Sequence, residues 1–252
     1  MKNLIIEALK DQREIFGDEL YTKIEMPEIV KVTEKESDAI FKPNFLVAES
    51  KPEKIIMSEK VQIFDKAKSI DELNGMINTC LKCPLGNTRN KFVFGVGNPN
   101  ADAMVIGEAP GADEDEQGLP FVGRAGKLLT DILKAIKFER DDVYIANILK
   151  CRPPNNRNPL PSEMEECIPY LNKQIELIKP KAILCVGLVA AQGLLKIKSS
   201  LTKMRGNVFE YNGIKTMVTY HPAALLRNPN WKRGCWEDVQ QFRKMYDELV
   251  GK

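Results

Sequence analysis

The sequence predicts an α/β fold: a three-layer α/β/α sandwich around a central, mainly parallel sheet of four strands. Three observations lead there. Four short apolar or β-branched runs, at 103–106, 143–148, 182–186 and 216–220, are each bounded by turn residues. Helical patterns near 124–137, 162–178, 188–196 and 235–249 lie between these runs and after the last one, which is the spacing of strand–helix–strand units. Strands this apolar are covered on both faces, as parallel sheets are.

Taken in chain order, Leu4, Ile5, Leu9, Ile15 and Phe16 recur at roughly helical spacing up to Gly17 and predict a short amphipathic helix. Between about 26 and 58 the pattern dissolves into Lys, Glu, Ser and Pro, the composition of a linker. Residues 1–70 therefore read as an N-terminal extension. Ser69 is a good N-cap with Glu72 three residues on, predicting a helix toward Cys80 and an ordered domain over 71–252. In open α/β sheets ligands bind beyond the carboxyl ends of the strands. The segments to search for chemistry are thus 107–111, 149–157, Gly187 and His221–Pro222.

Composition narrows the class. The chain has 252 residues, 43% of them hydrophobic, with 37 Lys and Arg against 35 Asp and Glu. Collagen, low-complexity and disulfide-scaffold classes are excluded. No apolar run approaches the ~20 residues of a membrane span. Glu7, Asp11 and Glu14 occupy the place of a secretory core, so an intracellular, cytoplasmic protein is expected. The mild basic excess after residue 70 permits a nucleic-acid partner without requiring one.

Cys80 and Cys83 form a C-x2-C turn, and Cys151 and Cys167 follow with fifteen residues between them. Four thiolates so spaced suit zinc or an iron–sulfur cluster, and reduced buried thiols are the alternative. Cys185, within an apolar strand run, and Cys235, beside Trp236, read as core thiols.

The first strand run leads into Gly107-Glu-Ala-Pro-Gly111 and a Gly- and Pro-rich loop through Phe121 to Leu129, which lacks both the dinucleotide fingerprint and the P-loop signature. This loop, with Asn147-Ile-Leu-Lys-Cys-Arg-Pro-Pro-Asn-Asn-Arg157 and His221-Pro-Ala-Ala-Leu-Leu-Arg-Asn-Pro229, resembles the family 4 uracil-DNA glycosylases, the iron–sulfur branch of that superfamily. The resemblance covers about 71–252. It implies a uracil-DNA glycosylase-like fold and a hydrolase that flips uracil from single- or double-stranded DNA and cuts its N-glycosidic bond to begin base-excision repair. It also implies a 4Fe-4S cluster on Cys80, Cys83, Cys151 and Cys167.

By the same resemblance Asn147 reads the uracil edge, Phe121 stacks on the base, and Gly107 and Ala109 complete the base site. His221, the only histidine, donates to uracil O2 as charge builds there. Glu108, Glu114 and Asn156 belong to the active-site network, with either glutamate able to position water. Arg124, Lys127, Arg152, Arg157, Arg227, Lys232 and Arg233 form a phosphate-binding rim, and Leu225 and Leu226 are the wedge into the vacated stack. Asp113, Asp115 and Glu116 read as solvated loop charges.

Two departures shape the expectation. The best-known branch activates water with an Asp where this chain has Ala109, and the Arg-rich insertion of a covalently trapped relative is absent after Pro154. A turnover enzyme without that base follows. The competing readings are a non-catalytic iron–sulfur DNA-binding or redox-sensing protein and a superfamily glycosylase for another deaminated base. Gly107-Glu-Ala-Pro-Gly111 fits family 4 better than the Gly-Leu-Ala-Pro-Ala of family 5. A monomer is expected, with the N-terminal extension free to meet a replication or repair partner.

Overall fold

A computed structural model describes residues 62–252. The helix expected over 1–17 and the linker near 26–58 lie outside the described residues. The helix expected after Ser69 is α1 (Ile70–Ile77), capped by Ser69 Oγ, which accepts the Glu72 N–H at 3.1 Å.

The sheet has six strands rather than four. They are β1 (Val96–Gly97), β2 (Ala103–Gly107), β3 (Val143–Asn147), β4 (Ala182–Val186), β5 (Val208–Tyr211) and β6 (Ile214–Thr219), in the order β1-β3-β2-β4-β6-β5. The four predicted runs are the central strands β3, β2, β4 and β6, all mutually parallel. The two additional strands are antiparallel edges. With only two residues, β1 is too short to show a period. The four residues of β5 are part-exposed and include Glu210, so no apolar run marks them. A hairpin signal did stand beside β5: Asn212-Gly213 takes positive φ at both positions (49° and 81°), as tight hairpin turns require.

Seven helices follow α1 or flank the sheet strands among the described residues. They are α2 (Ala112–Gln117), α3 (Arg124–Ala135), α4 (Pro161–Ile178), α5 (Leu188–Leu195), α6 (Leu201–Met204), α7 (Pro222–Arg227) and α8 (Lys232–Val250). Strand alternation divides the core into two layers. Ala103 and Val105 face one way and pack with Leu129 and Leu133 of α3 and Val239 and Phe242 of α8. Met104 and Ile106 face the other way, against Leu171 and Ile175 of α4 and Ala190 and Leu194 of α5. The α/β/α sandwich expected from the sequence is the result. Cys185 and Cys235 sit within these two layers, as core thiols do.

A third apolar cluster joins Leu73 and Ile77 of α1 to Phe94, Leu149, Cys151, Cys167 and Tyr170. It fastens the segment before the sheet to the loop after β3. Because β2 lies between β3 and β4, the chain leaves β2 to one side and returns on the other, opening a crevice at the strand carboxyl ends.

Leu133 is fully buried between α3 and the sheet, whereas Leu249 on α8 is solvent-exposed. Leu133→Ala is expected to lower the unfolding free energy by about 2–5 kcal/mol. Leu249→Ala should change it by less than about 0.5 kcal/mol. Urea denaturation of both variants checks the layer assignment.

Candidate active site

The crevice holds a cavity of about 340 Å³, whose lining includes Glu108, Ala109, Glu114, Phe121, Asn147, Asn156, His221 and Arg227. Three strand ends therefore converge as the sequence motifs required. Asn147 closes β3 in register with Gly107 of β2. Its side chain is 2% exposed, and Oδ1 is the only buried side-chain oxygen or nitrogen among the described residues without a hydrogen-bond partner. Orphaned buried acceptors are costly, so this atom is poised for a donor that enters the cavity.

Close packing sets the aromatic wall. A Cβ on Gly107 would collide with Asn147 Oδ1 and approach Phe121 Cζ to 2.5 Å, and one on Gly126 would collide with the Phe121 backbone. Phe121 itself holds a left-handed backbone, φ 54°, which a non-glycine residue keeps only under constraint. Its ring lies 5.7 Å from the His221 ring, tilted by 32°. It is at once a core residue and a wall of the cavity.

Glu114 supplies much of the constraint. Its carboxylate accepts N–H groups from Gly111, Val122 and Gly123 at 3.0, 3.0 and 3.1 Å. Both ends of the loop are thus held to one side chain, which corrects the expectation that Glu114 could equally well act on water. Glu108 is different: among the described residues no hydrogen bond to its carboxylate is formed, and burial raises its pKa above the ordinary range. Asp115 also departs from expectation. It is buried, and Oδ1 accepts the Asn90 N–H at 2.9 Å, tying α2 to the segment before β1.

His221 caps α7. Its Nδ1 accepts the Ala223 N–H at 3.1 Å, which in a neutral ring leaves the proton on Nε2. Burial and the nearby Arg227 lower the ring's pKa to about 4, against a smaller opposing effect of Glu114. The ring is a neutral donor near neutral pH.

The basic rim is less uniform than the sequence suggested. Arg124, Lys127 and Arg227 are exposed. Arg157, also exposed, has its guanidinium engaged by buried Glu163 at 2.6 and 2.9 Å, and Glu163 in turn accepts the Leu160 N–H at the start of α4. Arg157 thus organises the loop rather than offering a free cation. Arg152 donates from Nε to Asn156 Oδ1 at 2.8 Å, and Asn156 stands at the cavity rim with φ 53°. Lys232 is half-buried, and exposed Arg233 pairs with Glu237 at 3.5 Å. Leu225 is a correction. It is fully buried in the α3 and α8 layer and cannot serve as a wedge, while Leu226 beside it is 39% exposed.

Behind the cavity, Cys80, Cys83, Cys151 and Cys167 line one narrow cleft. Among the described residues no three His, Cys, Asp or Glu side chains are gathered tightly enough for a single ion. The thiols instead stand around the cleft wall. Donors already face the sulfurs: Tyr170 O–H and Lys82 N–H reach Cys80 at 3.1 and 3.4 Å, Arg89 reaches Cys151 at 3.4 Å, and Lys150 N–H reaches Cys167 at 3.3 Å. Such donors stabilise thiolate charge when a metal group is held, so the residues present fit one. Burial pushes the Cys167 thiol up to about 12, so loading must displace its proton.

Lys150, which the sequence reading passed over, is fully buried and joins the two sites. Its Nζ donates to the Asn147 carbonyl at 2.9 Å and to Gln174 Oε1 at 2.6 Å. A Lys directly before a cysteine at the end of an apolar strand was the available signal.

The sheet order, the crevice and the three loops define a member of the uracil DNA glycosylase superfamily, whose family model matches residues 94–247. A type-4 uracil-DNA glycosylase of Archaeoglobus fulgidus is 44% identical over 193 residues, covering 73% of this chain and 95% of that protein. The type-4 enzyme of Thermotoga maritima is 40% identical over 185 residues, covering 72% and 96%. A type-5 uracil-DNA glycosylase of Pyrobaculum aerophilum is 33% identical over 146 residues, 51% of this chain. The chain belongs to the type-4 uracil-DNA glycosylase family. Among the described residues no helix is long and apolar enough to cross a membrane.

Because the folded pKa of His221 lies below its unfolded value, the unfolded chain binds the extra proton between about pH 6.5 and 4. The contribution of this site to stability is complete above that window and is lost as the pH falls through it. Thermal melting from pH 7 to 4 should show a shallower acid decline for His221→Phe than for wild type, and parallel declines would show that His221 is not held neutral.

Proposed function

We propose that the cavity is where a uracil flipped out of DNA is bound and its N-glycosidic bond is hydrolysed. The observation that carries this is the unpartnered, buried Oδ1 of Asn147 within a cavity walled by Phe121 and His221. Uracil presents N3–H as a donor and O4 as an acceptor, so the amide accepts from one and donates through Nδ2 to the other. Cytosine presents the reverse pattern and leaves both amide atoms unpaired, a penalty that discriminates strongly.

In the reaction the C1′–N1 bond breaks and its electron pair stays with the base. Charge spreads to uracil O2, where the Nε2–H of His221 donates more strongly as the charge develops. The sugar becomes cation-like and takes the oxygen of a water molecule. Glu108, whose carboxylate is not held by a hydrogen bond, positions that water and receives its proton. Glu114 is a positioning residue that fixes the loop carrying Phe121. Phosphate contacts by Arg124, Lys127 and Arg227 bind the DNA without reading sequence, and Leu226 is the wedge.

Cys80, Cys83, Cys151 and Cys167 hold a 4Fe-4S cluster in this reading, supported by the donors facing their sulfurs and by the type-4 relatives. When bound, the cluster supplies a crosslink between the segment before the sheet and the loop after β3, and takes no part in bond breaking.

Release of uracil from labelled oligonucleotides tests the reading. Asn147→Asp is expected to lose about 10²-fold or more in single-turnover rate on uracil, and unchanged activity would remove Asn147 from the base site. His221→Ala should lose about 10²–10³-fold in the same step while DNA affinity changes little. The rate should fall on the acid side as Glu108 is protonated, at a pH above that of an ordinary glutamate, and Glu108→Gln should abolish that limb. Anaerobically purified protein should carry about four irons per chain, with Cys185→Ser retaining them and Cys167→Ser not.

A further inference from the structure

Tyr220, immediately before His221, links a half-buried cation to an exposed ring. The Arg205 guanidinium sits 4.2 Å from the centre of its ring. Trp231 stacks on it at 5.1 Å between ring centroids with an interplanar angle of 18°. The inner end of the stack is fixed. Arg205 donates to both carboxylate oxygens of buried Asp238, at 2.6 and 3.1 Å, and to the Tyr220 hydroxyl at 2.8 Å. Asp238 also accepts the Thr219 hydroxyl at 2.7 Å. A Cβ on Gly234 would collide with the Arg205 guanidinium, so the absence of a side chain there leaves room for the clamp.

The outer end is open. Trp231 is 42% exposed, and among the described residues its side chain has no ring contact beyond Tyr220 and its indole N–H has no hydrogen-bond partner. A single 3-10 turn, Pro229–Trp231, presents it directly after α7, which carries the exposed Leu226 and Arg227. Arg227 reaches the cavity lining, and Lys232 and Arg233 follow the indole in sequence. An exposed aromatic face in a segment that also carries Arg227 and Lys232, beside the helix that His221 caps, has the chemistry of a nucleic-acid base platform. Ring and clamp are already ordered, so little side-chain freedom is lost when a base settles on them.

We infer that Trp231 is a base-stacking platform that holds an unpaired nucleobase of the DNA strand next to the extruded uracil. This rests on the reading of the cavity as the uracil site and extends it to the neighbouring nucleotide. It assigns to the rim a contact that phosphate binding cannot supply, one made to a base face and therefore tolerant of sequence.

The test uses binding of single-stranded oligonucleotides that carry the abasic product at the lesion. In a matched set, each nucleotide on either side of the lesion is replaced in turn by a second abasic analogue. Trp231→Ala is expected to bind the parent product about 10-fold more weakly, with the loss concentrated in affinity rather than in the single-turnover rate at saturating DNA. Trp231→Phe should recover most of it. Wild type should lose a similar factor when one flanking base is removed, and Trp231→Ala should lose nothing further at that position. Trp231→Lys keeps a phosphate-binding charge without a ring, and must also bind more weakly than wild type.

Wild-type affinity in Trp231→Ala or Trp231→Lys would overturn the inference, as would losses from the variant and the missing base that simply add at every position. Either result points to a surface indole or to a contact with another protein. Uracil release by wild type, measured on the parent substrate in parallel, reports separately on the glycosylase reading. Its absence would sink that reading, whereas failure of the Trp231 series alone leaves it standing.

Discussion

A buried ammonium group ties the site together. Lys150 has no exposed surface, and an amine there must find acceptors or lose its charge. Burial already draws its pKa down to about 8. Its two acceptors are the Asn147 carbonyl and Gln174, and Gln174 in turn donates to the Phe94 carbonyl and the Tyr144 hydroxyl. The five residues from Asn147 to Cys151 therefore serve two sites at once. One end offers an amide to the cavity at the strand ends, the other a thiol to the cysteine cleft, and the lysine between them holds the main chain in the shape both need.

Preorganisation of the cavity comes from crowding rather than from a rigid element. Phe121 keeps a left-handed backbone in a loop, a state that would relax if its neighbours allowed it. Gly107 and Gly126 admit its ring and backbone, and the three N–H bonds to Glu114 close the loop around it. A carboxylate saturated by backbone donors is a poor base and a good brace. Glu108 and Glu114 line the same cavity and differ in hydrogen bonding, since only Glu114 is held by backbone donors.

The surface shows the same distinction between a charge and an available charge. Arg157 and Arg205 carry the same guanidinium as Arg124 and Arg227, yet each is engaged by a buried carboxylate. Bidentate pairing uses the donors a phosphate would need. What Arg205 offers instead is a rigid base for the Tyr220 and Trp231 rings, so an internal ion pair shapes the exposed rim beside His221.

By itself the sequence determined the class of fold, the four parallel strands, the Ser69 cap and the three loops at the strand ends. These depend on local period and turn chemistry, which a chain carries in its own order. That Asn147 and His221 stand at strand ends was legible from their motifs, and that Cys80, Cys83, Cys151 and Cys167 share one cleft was legible from their spacing. Tertiary structure decided the rest. Leu225 and Leu226 are adjacent and chemically identical, and only the packing of α7 on α3 buries one and exposes the other. Asp115 and Glu116 are neighbouring acids on α2, and only the side that carries Asp115 meets the Asn90 backbone. The edge strand β1 is defined by its partner β3 rather than by its own two residues. The Trp231 stack draws on residues up to 33 apart along the chain, through Arg205 and Asp238. Burial and partnership are properties of pairs brought together by the fold, so no local pattern can encode them.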